Sequence, residues 1–209
     1  MVSQDERGKR LLACVIDSYA INDPSKVWAS APLDNDDLTV GFRDISYKEL
    51  ANAVNHASWW LRHMIADTTA VFETLAYAGP KDLRYPILAL AAVKCGKQVG
   101  CLTNVDLSSS WFLHQLLLAS PFATPEAQTH LLRVTKCSTY IHASSFGQII
   151  RSILGTSSDV RSLAIPEMDE WLFKEEAPVF PYRKTWAEAN SDPWLIFHTS
   201  GTTGKILCS

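Results

Sequence analysis

Short apolar runs alternate with amphipathic segments along the chain, and this alternation constrains the fold more than any other feature. Leu11, Leu12, Val15, Ile16 and Tyr19 recur at helical spacing between Arg7 and Asn22, and Asp23-Pro24 closes that helix. Strands are predicted at Val27–Ala31 and Phe42–Ser46, with Asn35-Asp36-Asp37 as a turn. Ser46 followed three residues later by Glu49 forms a capping box. The helix it opens turns Leu50, Val54, Trp60, Leu61 and Met64 inward. A strand at Val71–Ala78 ends in Gly79-Pro80, and Asp82 caps a helix from Leu83 to Cys95 that Gly96 terminates. Pro86 falls in the first turn, where it is tolerated. Next come a strand at Leu116–Ala119, a helix with Pro125 at its first position, strands at Cys137–His142 and Ser162–Ile165, and a short helix at Gly147–Leu154 between those two. Helices interleaved with strands in this way specify an α/β domain with a mainly parallel sheet flanked by helices.

Composition narrows the function. A chain of 209 residues with 47% hydrophobic and 20% charged residues has the balance of a packed globular protein. A net charge of −3 provides no basic face for nucleic acid. No apolar run reaches membrane-spanning length, and Met1 to Arg10 lacks an apolar signal core. Five scattered cysteines without a C-x-x-C pair suggest neither a disulfide framework nor zinc. A reducing, cytoplasmic setting is expected. Asp34-Asn35-Asp36-Asp37 lacks the ligand spacing of a calcium loop and reads as a solvated turn. Trp59-Trp60 reads as the buried side of its helix.

The end of the chain carries the chemistry. Leu195, Ile196 and Phe197 form a short strand that runs into Thr199-Ser200-Gly201-Thr202-Thr203-Gly204. Glycines allow a sharp turn and close approach to a ligand, and successive N–H groups with side-chain hydroxyls suit an anion such as phosphate. The spacing is not that of a Walker A loop. His198 and Ser200 are not a hydrolase pair, because no Gly-x-Ser-x-Gly elbow exists. For His198, packing at a strand end and contact with substrate or nucleotide both remain open.

Phe197 to Gly204 resembles the phosphate-binding loop of adenylate-forming (AMP-binding) enzymes. Gly41 to Asn55, Phe72 to Tyr77 and Asp82-Leu83-Arg84-Tyr85 are similar to the adenylation domain of fungal non-ribosomal-peptide-synthetase-like reductases. The resemblance implies the N-terminal large domain of such an enzyme. It implies ATP-dependent activation of a small carboxylic acid to an acyl-adenylate, and transfer of the acyl group to phosphopantetheine on a downstream carrier domain. It also implies that Thr199, Ser200, Gly201, Thr202, Thr203 and Gly204 hold the β- and γ-phosphates of ATP with Mg²⁺. No residue is assigned a catalytic or metal-ligating role, and neither nucleic acid nor membrane is expected as a partner.

Two stretches depart from the pattern. Val99 to Gln115 fits neither helix nor strand, and removing it restores a helix–Gly–strand unit. After Gly204 the family continues x-Pro-Lys into a helix, whereas here Lys205 to Ser209 follow and Leu207 stands where the lysine belongs. The expectation is therefore a partial adenylation domain over 1–209, with 99–115 as an insert and truncation after the phosphate loop. The alternative is a catalytically inactive fragment or interaction module from a misannotated or unspliced gene. Gln98-Val99-Gly100 and Gly204-Lys205 can be encoded with splice-donor-like GTAGGT and GGTAAG, and His114-Gln115 with acceptor-like CATCAG. Sequencing the spliced transcript is expected to show both segments removed; a mature message that retains them contradicts the intron reading.

Overall fold

The computed structural model describes residues 8–65, 73–95, 114–118, 125–155, 159–192, 195–198 and 206–208. Most of the 99–115 segment lies outside these residues.

A helix, α1 (Leu12–Asn22), precedes an antiparallel hairpin of β1 (Val27–Pro32) and β2 (Phe42–Ser46). Then follow α2 (Tyr47–Met64), β3 (Glu73–Ala78), α3 (Arg84–Lys94), β4 (His114–Leu118), α4 (Pro125–Val134), β5 (Cys137–His142), α5 (Gly147–Leu154) and β6 (Arg161–Ala164). Two single-turn helices, α6 (Asp169–Leu172) and α7 (Trp186–Ala189), lie on the way to β7 (Leu195–His198) and β8 (Ile206–Cys208). The main sheet has the order β6-β5-β3-β4-β7-β8, parallel except for β8. The parallel α/β sheet predicted from the alternation is thus present.

Right-handed crossovers explain where the helices lie. From β3 to β4 the chain steps one way along the sheet; from β4 to β5, and on to β6, it steps the other way. Hence α3 covers one face, and α4 and α5 the other. The central strand β3 records this in its alternating side chains. Leu75 and Tyr77 enter the core shared with α2 and α3, while Ala76 and Ala78 enter the one shared with α4 and α5. All four are fully buried. Burying one large apolar side chain stabilises by about 1.5–3 kcal/mol, so a strand enclosed on both faces is the natural centre of the sheet.

Helix α2 begins as its sequence dictates. Ser46 Oγ accepts from the Glu49 amide at 3.2 Å, and Glu49 Oε2 accepts from the Ser46 amide at 2.8 Å. Its inner residues Leu50, Val54 and Leu61 are buried, and Trp60 and Met64 pack against them. Trp59 departs from the expectation. It is 36% exposed, and its indole donates to the Pro178 carbonyl at 2.8 Å and meets the Phe180 ring edge-on.

That contact belongs to a row. Asn52 Oδ1 accepts from the Ala177 amide, Asn55 Oδ1 from the Phe180 amide, and His56 Nε2 meets the Glu175 carbonyl at 2.9 Å. These residues recur at helical spacing on α2 and hold the proline-interrupted connection between β6 and β7. The connection must pass three strands to reach its destination, and α2 holds part of its path.

Beneath that row lies a buried charge. The Lys94 side chain is fully buried; its ammonium donates to Asp17 at 2.6 Å and to Asn55 Oδ1 at 3.3 Å. Helices α1, α2 and α3 meet at this point.

The 3₁₀ turn at Leu38–Val40 starts at Asp37, whose carboxylate accepts from Thr39; the acidic stretch before it is an exposed turn, as expected. β4 begins at His114, so the last two residues of the 99–115 segment pair with Glu73 and Thr74.

Two contrasting substitutions test the packing. Ser46→Ala is expected to cost about 1 kcal/mol of stability in urea unfolding, through loss of the cap. The Tyr77 hydroxyl is buried, with no hydrogen-bond partner among the described residues. Tyr77→Phe is therefore expected to be neutral or stabilising, since no bond is lost. A loss above about 1 kcal/mol on Tyr77→Phe would show that the hydroxyl is satisfied after all.

Candidate functional site

In open parallel sheets, ligands bind outside the carboxyl ends of the strands, near the point where successive connections diverge to opposite faces. Here that point is the exit of β3 and β5, which adjoin each other while their following helices cover opposite faces. β4 and then β7 continue the sheet on the other side of β3, with Leu116 and Leu117 opposite Leu195 and Ile196. The chain therefore emerges from β7 at this carboxyl edge after His198.

Thr199, Ser200, Gly201, Thr202, Thr203 and Gly204 lie outside the described residues, but the strands that anchor both ends do not. Ile206–Cys208 is extended and runs antiparallel to β7, with His198 opposite Ile206 and Phe197 opposite Leu207. The departure from the family's onward helix, noted at Lys205 to Ser209, thus takes the form of a short return strand. Strand β7 and its return strand hold the two ends of the loop together. The cause is legible afterwards: Ile206-Leu207-Cys208 is a short apolar run, suited to pairing with an open strand.

The neighbouring exits are rigid. Asp82 accepts from the Arg84 amide at 2.9 Å, as a turn carboxylate does, and the Arg84 guanidinium then folds back onto it through Nε and Nη2 at 2.7–3.2 Å. Arg84 Nη1 donates to Glu167 at 3.0 Å, tying the β3–α3 turn to the segment after β6. The side chains of Arg84 and Asp82 are each 6% exposed. Burial alone disfavours the guanidinium charge, but the hydrogen bonds and charge of Asp82 outweigh it and hold the Arg84 pKa above its ordinary value. The sequence identified Asp82 only as a cap; the bridge to Glu167 was not legible, because it joins residues far apart in the chain.

Gly79 is needed at the β3 exit for space, because a Cβ there would collide with the Tyr77 hydroxyl. Tyr85 packs edge-on against Tyr77, and its hydroxyl donates to the Gly79 carbonyl at 3.2 Å. Burial raises the pKa of both tyrosines, so both stay protonated.

The titratable groups near the edge are structural. His142 is buried, with Nδ1 2.9 Å from the Ala143 carbonyl and Nε2 2.9 Å from Ser162 Oγ. Both ring nitrogens are thus engaged within the fold. At the far end of α3, away from this edge, burial pushes the Cys95 thiol up to about 12, which disfavours the nucleophilic thiolate. Among the described residues no group of three His, Cys, Asp or Glu is placed to hold a metal, and no helix is long and apolar enough to cross a membrane. The His198 side chain lies outside what is described.

No profile of a known protein family matches the chain. Individual proteins do. The chain is 32% identical over 198 residues to a carboxylic acid reductase of Neurospora crassa, covering 94% of this chain and 17% of the reductase. It is 32% identical over 200 residues to the isocyanide synthase-NRPS hybrid crmA of Aspergillus fumigatus, covering 94% of this chain and 12% of the hybrid. It thus spans less than a fifth of these curated relatives. Its fold matches an inhibitor-bound N-terminal domain of FACL13 from Mycobacterium tuberculosis with a TM-score of 0.64 at 14% identity, covering 94% of this chain and 42% of that one. Over 94% of its length the chain is thus homologous to part of a fungal carboxylic acid reductase and of a fungal NRPS hybrid, and its fold is that of the N-terminal domain of adenylate-forming (AMP-binding) enzymes.

Proposed function

We propose that this chain is the opening portion of an adenylation domain whose complete protein activates a carboxylic acid with ATP. The observation that carries this reading is the convergence of two facts. The chain is similar over 94% of its length to a carboxylic acid reductase, and β7 delivers its hydroxyl- and glycine-rich loop to the carboxyl edge of the sheet.

In this reading a carboxylate oxygen bonds to the α-phosphorus of ATP, the bond to the β-phosphate bridging oxygen breaks, and pyrophosphate leaves with Mg²⁺. The donor set of the loop fits that role. Thr199, Ser200, Thr202 and Thr203 supply hydroxyls, and Gly201 and Gly204 let the backbone approach the β- and γ-phosphate oxygens. Hydrogen bonds aimed at charge that develops on the leaving pyrophosphate lower the barrier. Mg²⁺, where bound, screens the phosphate charge; the loop hydroxyls would orient those phosphates. The acyl group then passes to phosphopantetheine on a carrier domain of the complete protein. The segment 99–115 is an insert within the domain, and the cytoplasm is its proposed location.

The chain spans 42% of the solved N-terminal domain it resembles, which favours a part of the site over a whole one. ATP–pyrophosphate exchange with a panel of carboxylates tests this. The complete protein is expected to exchange, and Gly201→Val in its loop to lower the rate about 100-fold or more. The 209-residue chain alone is expected to give no exchange. Robust exchange by that chain, or an unaffected Gly201→Val protein, contradicts the proposal.

A further inference from the structure

The opposite, amino edge of the sheet carries a second concavity. Between the end of α4 and the end of α5 lies a cleft of about 330 Å³, next to the first residues of β5. Strands of five to six residues separate it from the phosphate-loop edge by roughly 17–20 Å, so it is no extension of that site.

Its lining has two parts. Leu132, Ile153, Leu154 and Val160 form an apolar wall, with Leu132 buried and the other three partly so. Arg133 and Lys136 stand at the lip, exposed, against Asp159 as the one acid among the lining residues. Neither cation enters an ion pair among the described residues; Arg133 meets only the ring of His130, at 3.4 Å. The volume lies at the lower end of the range of small-molecule pockets, and the lining combines an apolar wall with charged groups at the lip.

Lys136 adds a second, independent observation. It is the only non-glycine residue with positive φ among the described residues, at 53°. The position follows the end of α4, where glycine is the favoured residue because it lacks a Cβ. A lysine there is unfavourable for the backbone, yet it sets an ammonium at the mouth of the cleft beside Arg133.

We propose that this cleft binds a small amphipathic carboxylate, with the head group between Arg133 and Lys136 and the apolar body against Leu132, Ile153, Leu154 and Val160. The two cations outnumber the one acid, which selects for an anion, and the apolar wall selects against a fully hydrated one. Sodium octanoate is the probe, with octanol and acetate as controls for head and body.

Titration of the 209-residue chain, followed by methyl NMR, is expected to give saturable shifts at Ile153, Leu154 and Val160. Octanol and acetate are each expected to bind about tenfold more weakly or worse. Lys136→Gly is the decisive variant, because it relieves the backbone while removing the charge. It is expected to keep or raise Tm and to weaken octanoate about tenfold, as is Arg133→Gln for binding. Equal binding of octanol and octanoate, shifts that do not saturate, or undiminished affinity in Lys136→Gly would overturn the proposal. The octanol comparison uses the unaltered chain, so the test stands even where a variant folds poorly.

Discussion

A fully buried ammonium sets the terms for one side of this molecule. Lys94 ends α3 inside the protein, and a charge there is tolerable only when paired and hydrogen-bonded. Asp17 supplies the opposite charge from α1, and Asn55 supplies a carbonyl oxygen from α2. The same Asn55 oxygen accepts from the Phe180 amide, in the connection that leads to β7. Three helices and one long crossover are thus fixed through one cation and one amide. Removing either partner would leave the buried ammonium unpaired, which is the costly outcome.

The consequence reaches the candidate site. The crossover from β6 must traverse the sheet and release β7 beside β4, in register with Leu116 and Leu117. The α2 row of Asn52, Asn55, His56 and Trp59 holds its path by side-chain bonds to backbone, so its own residues need only be extended and compatible with proline. Strand β7 then ends at the carboxyl edge, where the Arg84–Asp82–Glu167 bridge ties the neighbouring turns together. In the proposed reading the phosphate chemistry falls to the loop after β7, while helices on one face of the sheet hold the path of the chain into β7.

The parts of this structure legible in the sequence are those determined locally. The capping box at Ser46 and Glu49, Pro125 at the start of α4 and the strand-favouring run of Cys137–His142 each follow from neighbours within a few residues. The α/β class followed from the alternation of such segments. The parts not legible depend on distant partners. Trp59 was read as an inward residue of an amphipathic helix, but the distant segment around Pro178 gives its indole an acceptor near the surface. β8 had no reading in the sequence, because three apolar residues do not by themselves specify pairing with β7. The Arg84–Glu167 bridge and the Lys94 node also join residues that no short motif spans. The reading of the loop rests on its glycines and hydroxyls alone, and its residues lie outside those described.

The central claim is that the hydroxyl- and glycine-rich loop between β7 and β8 is a phosphate cradle at the carboxyl edge of the sheet. Backbone amide NMR of the 209-residue chain, titrated with magnesium pyrophosphate, tests it most directly. The account predicts saturable shifts concentrated at Thr199–Gly204. Shifts concentrated on another part of the chain, or none at millimolar pyrophosphate, would contradict it.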